Sequence, residues 1–166
     1  MKILGLDPGT ATTGYGVIEC DGQSQNLIAY GIIKTGKESL AHDRLCEIYD
    51  DALELFKRHK PDAVVIEKLY FATNAKTAIA VGQARGVLLL AAAKSATHLV
   101  ELTPLQVKQG LTGYGKAEKR QVQEMVRIVL RLEKVPKPDD AADALALALV
   151  GASFLGIWGI WGCWGG

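Results

Sequence analysis

The chain opens with MKILGLDPGTATTGYGVIEC, residues 1–20, in which a short apolar run ends at Asp7 and a second β-rich run follows. Between the two runs lie Pro8, Gly9 and small hydroxyl residues. Apolar runs of this length, bounded by Pro and Gly, predict two β-strands joined by a turn. An aspartate at the end of the first strand has two possible uses. Its loop can cradle a nucleotide phosphate, or its carboxylate can bind a metal at the edge of a sheet.

Length and composition limit the class of protein. The chain has 166 residues, which is the size of one domain, and 49% hydrophobic residues, which excludes a disordered protein. The formal net charge of +1 is uninformative, because a nucleic-acid binder can be neutral if its acids and bases are segregated. Cys20, Cys46 and Cys163 are isolated in the sequence, and the first apolar run is too short for a signal peptide. We therefore expect a cytoplasmic protein without a disulfide framework.

The predicted secondary structure is three strands followed by alternating helices and strands. An Asp-Gly pair at residues 21–22 predicts a hairpin between the second and third strands, and Ser39 is the predicted N-cap of the first helix. The later strands should be parallel because a helix precedes each of them. The predicted strands cover residues 2–7, 13–20, 26–35, 61–71 and 98–103, and the predicted helices cover residues 39–59, 74–94, 104–113, 116–132 and 139–153.

Four carboxylates could meet in such an α/β fold. Asp7 ends the first strand and Glu67 ends the fourth, while Asp140 and Asp143 are three residues apart and share one face of the last helix. If the two strands are neighbours, the four acids form a cluster whose repulsion a hard divalent cation such as Mg²⁺ or Mn²⁺ would relieve. Each acid alone is also typical of an ordinary strand end or helix start, and Asp139 and Asp140 suit N-terminal capping.

A basic segment and an aromatic pair are further candidates for binding nucleic acid. Residues 106–122, QVKQGLTGYGKAEKRQV, carry glycines between the cations Lys108, Lys116, Lys119 and Arg120. This segment could cradle phosphates, or it could be a solvated helix face. Tyr70 and Phe71 follow Glu67 directly. They are either core aromatics or exposed side chains that stack on bases beside a metal site.

Four sequence blocks in this order resemble the RuvC family of Holliday-junction resolvases. The blocks are GLDPGTATTGYGVIE (5–19), VVIEKLYFATNAKTAIAVGQARG (64–86), QVKQGLTGYGKAEKRQVQEMV (106–126) and DDAADALALAL (139–149). The resemblance spans about residues 1–152. It implies an RNase H-like α/β fold with a mixed five-stranded sheet, order 3-2-1-4-5, and helices on both faces. It also implies a metal-dependent endonuclease that resolves four-way DNA junctions during recombination and repair.

The resemblance assigns roles to particular residues. Asp7, Glu67, Asp140 and Asp143 would be the catalytic acids and would bind two Mg²⁺ ions, for which Mn²⁺ should substitute. The implied DNA-binding residues are Lys108, Lys116, Lys119, Arg120, Tyr70 and Phe71. The helix over residues 74–94 resembles the family's dimerisation helix, with Ala78, Gly82 and Gly86 at the interface. A homodimer would present two sites to one junction and make paired symmetric nicks. A branch-migration motor complex is a further expected partner.

The Gly- and Trp-rich segment over residues 153–166 departs from the family pattern, and we expect a flexible tail there rather than a membrane anchor. Two alternative functions remain open from the sequence, and a third is discounted. The chain could be an RNase H-like nuclease for RNA or other branched nucleic acid, or a relative that binds nucleic acid without cutting. The DPGT motif also resembles the phosphate loop of actin-like ATPases and sugar kinases, but those folds usually need a second similar domain.

Overall fold

The computed structural model describes residues 1–22, 24–68, 75–95 and 97–156, with side chains of the second helix described from residue 78 onward. The strands are β1 (Lys2–Asp7), β2 (Thr12–Asp21), β3 (Ser24–Lys34), β4 (Ala63–Glu67) and β5 (His98–Leu102). The helices are α1 (Ala41–His59), α2 (Ala75–Lys94), α3 (Pro104–Thr112), α4 (Lys119–Val129) and α5 (Asp139–Phe154).

The strands form one mixed sheet in the order β3-β2-β1-β4-β5, which confirms the predicted topology. β1, β2 and β3 are an antiparallel meander, and β1, β4 and β5 run parallel to one another. The β2–β3 hairpin turns at Gly22, whose φ of +57° lies in the left-handed region that glycine enters without steric cost. Leu6 pairs with Ile66 across β1 and β4, so Asp7 and Glu67 end adjacent strands at the same edge.

Helices cover both faces of the sheet, as the sequence predicts. α3, α4 and α5 bury one face in a cluster that includes Ile3, Val65 and Leu145. α1 and α2 bury the other face in a second cluster that includes Leu4 and Leu88. Because β1 and β4 are buried on both faces, their sequences are continuous apolar runs rather than alternating ones.

Glycines let α5 lie directly on the sheet. A Cβ added at Gly5 would come within 2.0 Å of the Ala144 carbonyl oxygen, and one at Gly14 within 2.0 Å of the Asp140 carbonyl oxygen. Gly14 pairs with Asp7 in the sheet. The backbone of the first turn of α5 is therefore held against the strands beside Asp7, which could not happen if those positions carried side chains.

The predicted N-cap of α1 is wrong. The helix begins at Ala41 after an extended Leu40, with no side-chain cap. Ser39 instead donates its hydroxyl to Glu47 Oε1 at 3.1 Å, and Glu47 also accepts from the Gly36 N–H at 3.2 Å. The serine thus ties the preceding loop to the second turn of α1, a longer-range contact that local sequence does not reveal.

Several other boundaries differ from the prediction by a few residues, including those of α4 and α5. α4 begins at Lys119 and not at residue 116, because the Gln121 side chain accepts a hydrogen bond from the Glu118 N–H at 2.8 Å and closes the helix start there. α5 continues to Phe154, so the first residues of the predicted tail belong to this helix. Leu155 and Gly156 form a turn after the helix, and residues 157–166 of that tail lie outside the described residues. Among the helices that are described, none is both long and apolar enough to cross a membrane.

Candidate active site

The structure brings the four predicted acids to one edge of the sheet. Asp7 and Glu67 lie side by side at the ends of β1 and β4. The first turn of α5, held against Gly14, places Asp140 and Asp143 next to them. Glu67, Asp143 and Asp140 all repel a negative charge on Asp7. The fold therefore creates the predicted cluster from elements that are far apart in sequence.

The carboxylates resist ionisation in this position. Burial, followed by repulsion from Glu67, Asp143 and Asp140, raises the pKa of Asp7 to about 8. Burial and repulsion from Asp143 raise the pKa of Glu67 to about 6. Burial also raises the pKa of Asp143, although Lys119 opposes this shift. Concentrated, desolvated negative charge is the electrostatic condition that favours a bound cation.

A lysine supplies one positive charge inside the cluster. Lys119 Nζ lies 2.7 Å from Asp143 Oδ2 and 3.9 Å from Asp139 Oδ2. Burial lowers the Lys119 pKa, but the hydrogen bond to Asp143 and the attraction of Asp143, Asp139 and Asp7 outweigh it, so the pKa is raised overall. Lys119 therefore stays charged, and its contact with carboxylates is a feature that the sequence analysis did not anticipate.

The capping interpretation of Asp139 and Asp140 is wrong. The N-cap position of α5 is Pro138, and no side chain caps the helix. Asp139 accepts a hydrogen bond from Lys137 Nζ at 2.6 Å, which holds the pKa of this carboxyl below its usual range. Asp139 is thus engaged at the rim, while Asp140 contributes its charge to the cluster around Asp7.

The donor set fits a hard divalent cation. Its ligands are carboxylate oxygens, which suit Mg²⁺ and Mn²⁺ better than softer metals. The half-buried acids already attract the ammonium of Lys119, so a cation is favoured here. Within the described residues, however, no three His, Cys, Asp or Glu side chains converge closely enough to hold one ion. The fold thus brings the candidate ligands to one edge of the sheet, but among the described residues it does not place three of them around a single ion position.

The predicted basic residues lie on two helices and on the turn between them. Lys108 is half-buried on α3, Lys116 is exposed in the turn between α3 and α4, and Arg120 is exposed on α4 next to Lys119. Of these four cations, Lys119 is the one with an ion pair to the acids. Tyr70 and Phe71 lie outside the described residues.

Arg85 is a neighbour of the site that the sequence analysis missed. Its Nε donates to the main-chain carbonyl oxygen of Glu67 at 3.0 Å, and its guanidinium forms an ion pair with Glu101 on β5. Arg85 lies on α2 next to the fully buried Ala84. A cation next to a buried helix position is expected to pair with another group of the protein. The main-chain carbonyl that accepts its hydrogen bond cannot be identified from the sequence, because every residue has one.

The predicted interface residues on α2 differ in exposure. Ala78 and Gly82 are half-buried, whereas Gly86 is exposed, and a Cβ at Gly86 would meet nothing within 4 Å. Gly86 belongs to an exposed stripe with alternating steps of three and four residues, formed by Ile79, Gln83, Gly86, Leu90 and Ala93. Ile79 is 71% exposed and Leu90 is 52% exposed, so this stripe presents a sizeable apolar surface.

Comparison with known proteins first defines the class. The fold is similar to that of Thermus thermophilus RuvC, with a TM-score of 0.86 and 35% sequence identity over 95% of this chain and 98% of that one. It is also similar to T. thermophilus RuvC in complex with Holliday junction substrate, with a TM-score of 0.84 and 34% identity over 93% and 95% of the two chains. The fold is therefore RNase H-like.

Sequence comparison then gives the family. The family model for crossover junction endodeoxyribonuclease RuvC matches residues 3–151. A RuvC from Desulforamulus reducens is 51% identical over 154 residues, covering 93% of this chain and 94% of the relative. The chain belongs to the RuvC family of crossover junction endodeoxyribonucleases, which depend on a divalent metal.

Proposed function

We propose that this chain resolves four-way DNA junctions, with Asp7, Glu67, Asp140 and Asp143 as its catalytic acids and Mg²⁺ as its metal. The observation that carries the proposal is the convergence of these acids at one sheet edge in a member of this nuclease family. The raised pKa values of Asp7 and Glu67 support the proposal, because the cluster disfavours bare negative charge and a divalent cation would neutralise it.

The four carboxylates would hold two ions, with Mn²⁺ able to replace Mg²⁺. Bound there, such ions supply Lewis acidity to the attacking water and to the leaving 3′ oxygen of an in-line displacement at phosphorus. The chain's own task is to present ionised carboxylates in fixed positions. β1 and β4 fix Asp7 and Glu67 by their pairing, and the close contact between Gly14 and α5 fixes Asp140.

Lys119 would change partners during the reaction. In the structure, its ammonium balances Asp143. With the charge of the carboxylates balanced, the ammonium would be free to turn toward the scissile phosphate, where negative charge increases in the transition state. Lys108 would act beside it, and Lys116 and Arg120 would bind phosphates farther along the DNA, with sequence-independent and salt-sensitive affinity. Tyr70 and Phe71 stay predicted junction contacts.

A homodimer through α2 would complete the enzyme. Apart from Gln83, the exposed stripe from Ile79 to Ala93 is apolar, and Gly86 has no side chain, so two copies of α2 could approach closely along it. Ala78 and Gly82 would flank this contact. A two-fold dimer matches the symmetry of a four-way junction and would nick two opposing strands. The branch-migration motor partner and the cytoplasmic location stay predictions from the sequence.

The direct test compares three substrates with the same purified protein and Mg²⁺. These are a synthetic four-way DNA junction, a DNA duplex of matched sequence and an RNA duplex. We expect cleavage of the junction in two symmetric strands and little cleavage of either duplex. Preferential cutting of the RNA would favour the alternative of an RNA-directed nuclease. Tight binding without any cutting would favour the non-catalytic alternative.

A further inference from the structure

An exposed aromatic side chain lies at the turn between α3 and α4 and has no part in the mechanism above. Tyr114 is 59% exposed, although aromatic side chains bury large apolar areas when they can. The turn connects α3, which carries Lys108, to Lys119 at the start of α4. In the sequence, Tyr114 therefore lies between Lys108 on α3 and Lys119, the lysine that contacts the acids.

The backbone at Tyr114 is fixed on both sides. Its N–H donates to Thr112 Oγ1 at 3.2 Å, and the Thr112 hydroxyl donates in turn to the Lys108 carbonyl oxygen at 2.8 Å. The Tyr114 carbonyl oxygen accepts from the N–H of Ala117 at 3.0 Å, and Ala117 is buried. The exposed ring is thus carried by an ordered turn, so its exposure does not come from a loosely held loop.

Two glycines allow this turn to adopt its backbone conformation and to pack closely on α3. Gly113 ends α3 with a φ of +75°, and its N–H donates to the Gln109 carbonyl oxygen at 2.8 Å. A Cβ added at Gly115 would come within 2.5 Å of Leu105 Cδ1, so the turn lies directly on the first turn of α3. Although the turn contacts α3 at Gly115, the Tyr114 side chain faces solvent.

We propose that Tyr114 stacks on a nucleobase of the bound DNA at the branch point. This inference rests on the proposed junction-resolving function. An aromatic ring on an ordered turn loses little backbone entropy on stacking, and the ammonium groups of Lys108 and Lys116, which precede and follow it in the sequence, can hold phosphates of the same DNA. A base has a free face where the stack of pairs is interrupted, as it is at a branch point, and has none within a continuous duplex. Tyr114 would therefore contribute to selection of the junction over linear DNA.

The test measures binding by the intact 166-residue chain in EDTA, to a four-way junction and to a duplex of the same sequence, by fluorescence anisotropy. Because base stacking contributes about 1–3 kcal/mol per base and 1.4 kcal/mol is a factor of ten, Tyr114→Ala should weaken junction binding about tenfold. Duplex binding should change by less than about twofold. Tyr114→Phe and Tyr114→Trp should both retain junction affinity, since stacking needs the ring and not the hydroxyl.

A second readout reports stacking itself. A junction that carries 2-aminopurine at the branch point should show a fluorescence change on binding wild type or Tyr114→Phe that is absent with Tyr114→Ala. Tyr30→Ala is the matched control, because Tyr30 is an exposed tyrosine, 40% accessible, on the outer strand β3. It should bind both substrates like wild type. Circular dichroism and thermal unfolding verify that every variant is folded.

Several outcomes would overturn the inference. Normal junction affinity of Tyr114→Ala, an equal loss on junction and duplex, or a Tyr114→Phe variant as weak as the alanine variant would each do so. These results are separable from the function itself. A wild type that cuts junctions while Tyr114→Ala binds them normally refutes the role of Tyr114 alone. A wild type with no preference for a junction refutes the proposed function, and the stacking role falls with it.

Discussion

Gly14→Ala tests how the fold assembles the acidic site. The added Cβ would lie 2.0 Å from the Asp140 carbonyl oxygen and 2.4 Å from its carbonyl carbon. These are backbone atoms, which cannot rotate away as the end of a side chain can. Ordinary contact begins near 3.4 Å, so the first turn of α5 must move about 1.4 Å along this line to accommodate the methyl group.

A shift of that size matters for catalysis more than for folding. Displacement of catalytic groups by about 1 Å can lower a rate about 100-fold, so we expect at least this loss in junction cleavage. Overpacking typically costs about 1–3 kcal/mol, which a folded domain can tolerate. The assay is single-turnover cleavage at saturating enzyme, with the folded fraction of each sample measured by circular dichroism.

Gly110→Ala is the matched control. Its Cβ would come within 2.7 Å of Val150 Cγ1, so it overpacks the same helix at its other end, against a side chain. It should lower stability without moving the acids and should keep a cleavage rate within a few-fold of wild type. If Gly14→Ala cuts as fast as Gly110→Ala, the close contact between β2 and α5 does not position the site, and the reasoning fails.

Four further predictions follow from the same contacts. Because the pKa of Asp7 is raised from 3.8 to about 8, the metal-free protein should lose stability as pH rises between these values. Urea unfolding in EDTA at pH 6 and pH 9 should show this loss in wild type but a smaller one in Asp7→Asn, and equal losses would contradict it. Lys119→Ala and Lys108→Ala should each slow cleavage with a smaller loss of binding; normal rates across a range of salt would make both residues ordinary surface lysines. Gly86→Arg should convert a dimeric mass in light scattering to a monomeric one with unchanged circular dichroism, and a monomeric wild type would refute the α2 interface. Removal of residues 157–166 should leave cleavage of bare junctions unchanged, and a folded but inactive truncation would show that this segment serves the site.

The positions of Asp7 and Glu67 at the edge of the sheet could be predicted because the end of a buried strand can be recognised in the sequence. A buried parallel strand is an apolar run, and an acid directly behind it must lie at the sheet edge, as Asp7 and Glu67 do. The family resemblance supplied the strand order that makes these strands neighbours. Asp140 and Asp143 followed from helical spacing, although their distance from the strands depends on Gly14, a contact that the sequence did not suggest.

Other features depend on contacts that residue type does not specify. Ser39 looks like a helix cap, but its hydroxyl reaches Glu47 instead. Arg85 donates to a main-chain carbonyl, and any residue at position 67 would offer the same acceptor. Lys119 could be recognised as a cation for phosphate, whereas its bond to Asp143 required knowledge of how α4 and α5 pack. Partner choice among long polar side chains is decided by tertiary packing.

The most direct test of the central claim is product mapping on a synthetic four-way junction with wild type and Asp7→Asn in Mg²⁺. If the acids at the sheet edge perform the chemistry, wild type should make two symmetric nicks with 5′-phosphate and 3′-hydroxyl ends. Asp7→Asn should bind the junction with nearly unchanged affinity, because basic residues supply most of the binding, and should leave it uncut. Nicking by purified Asp7→Asn at the wild-type rate would contradict the assignment of this edge as the active site.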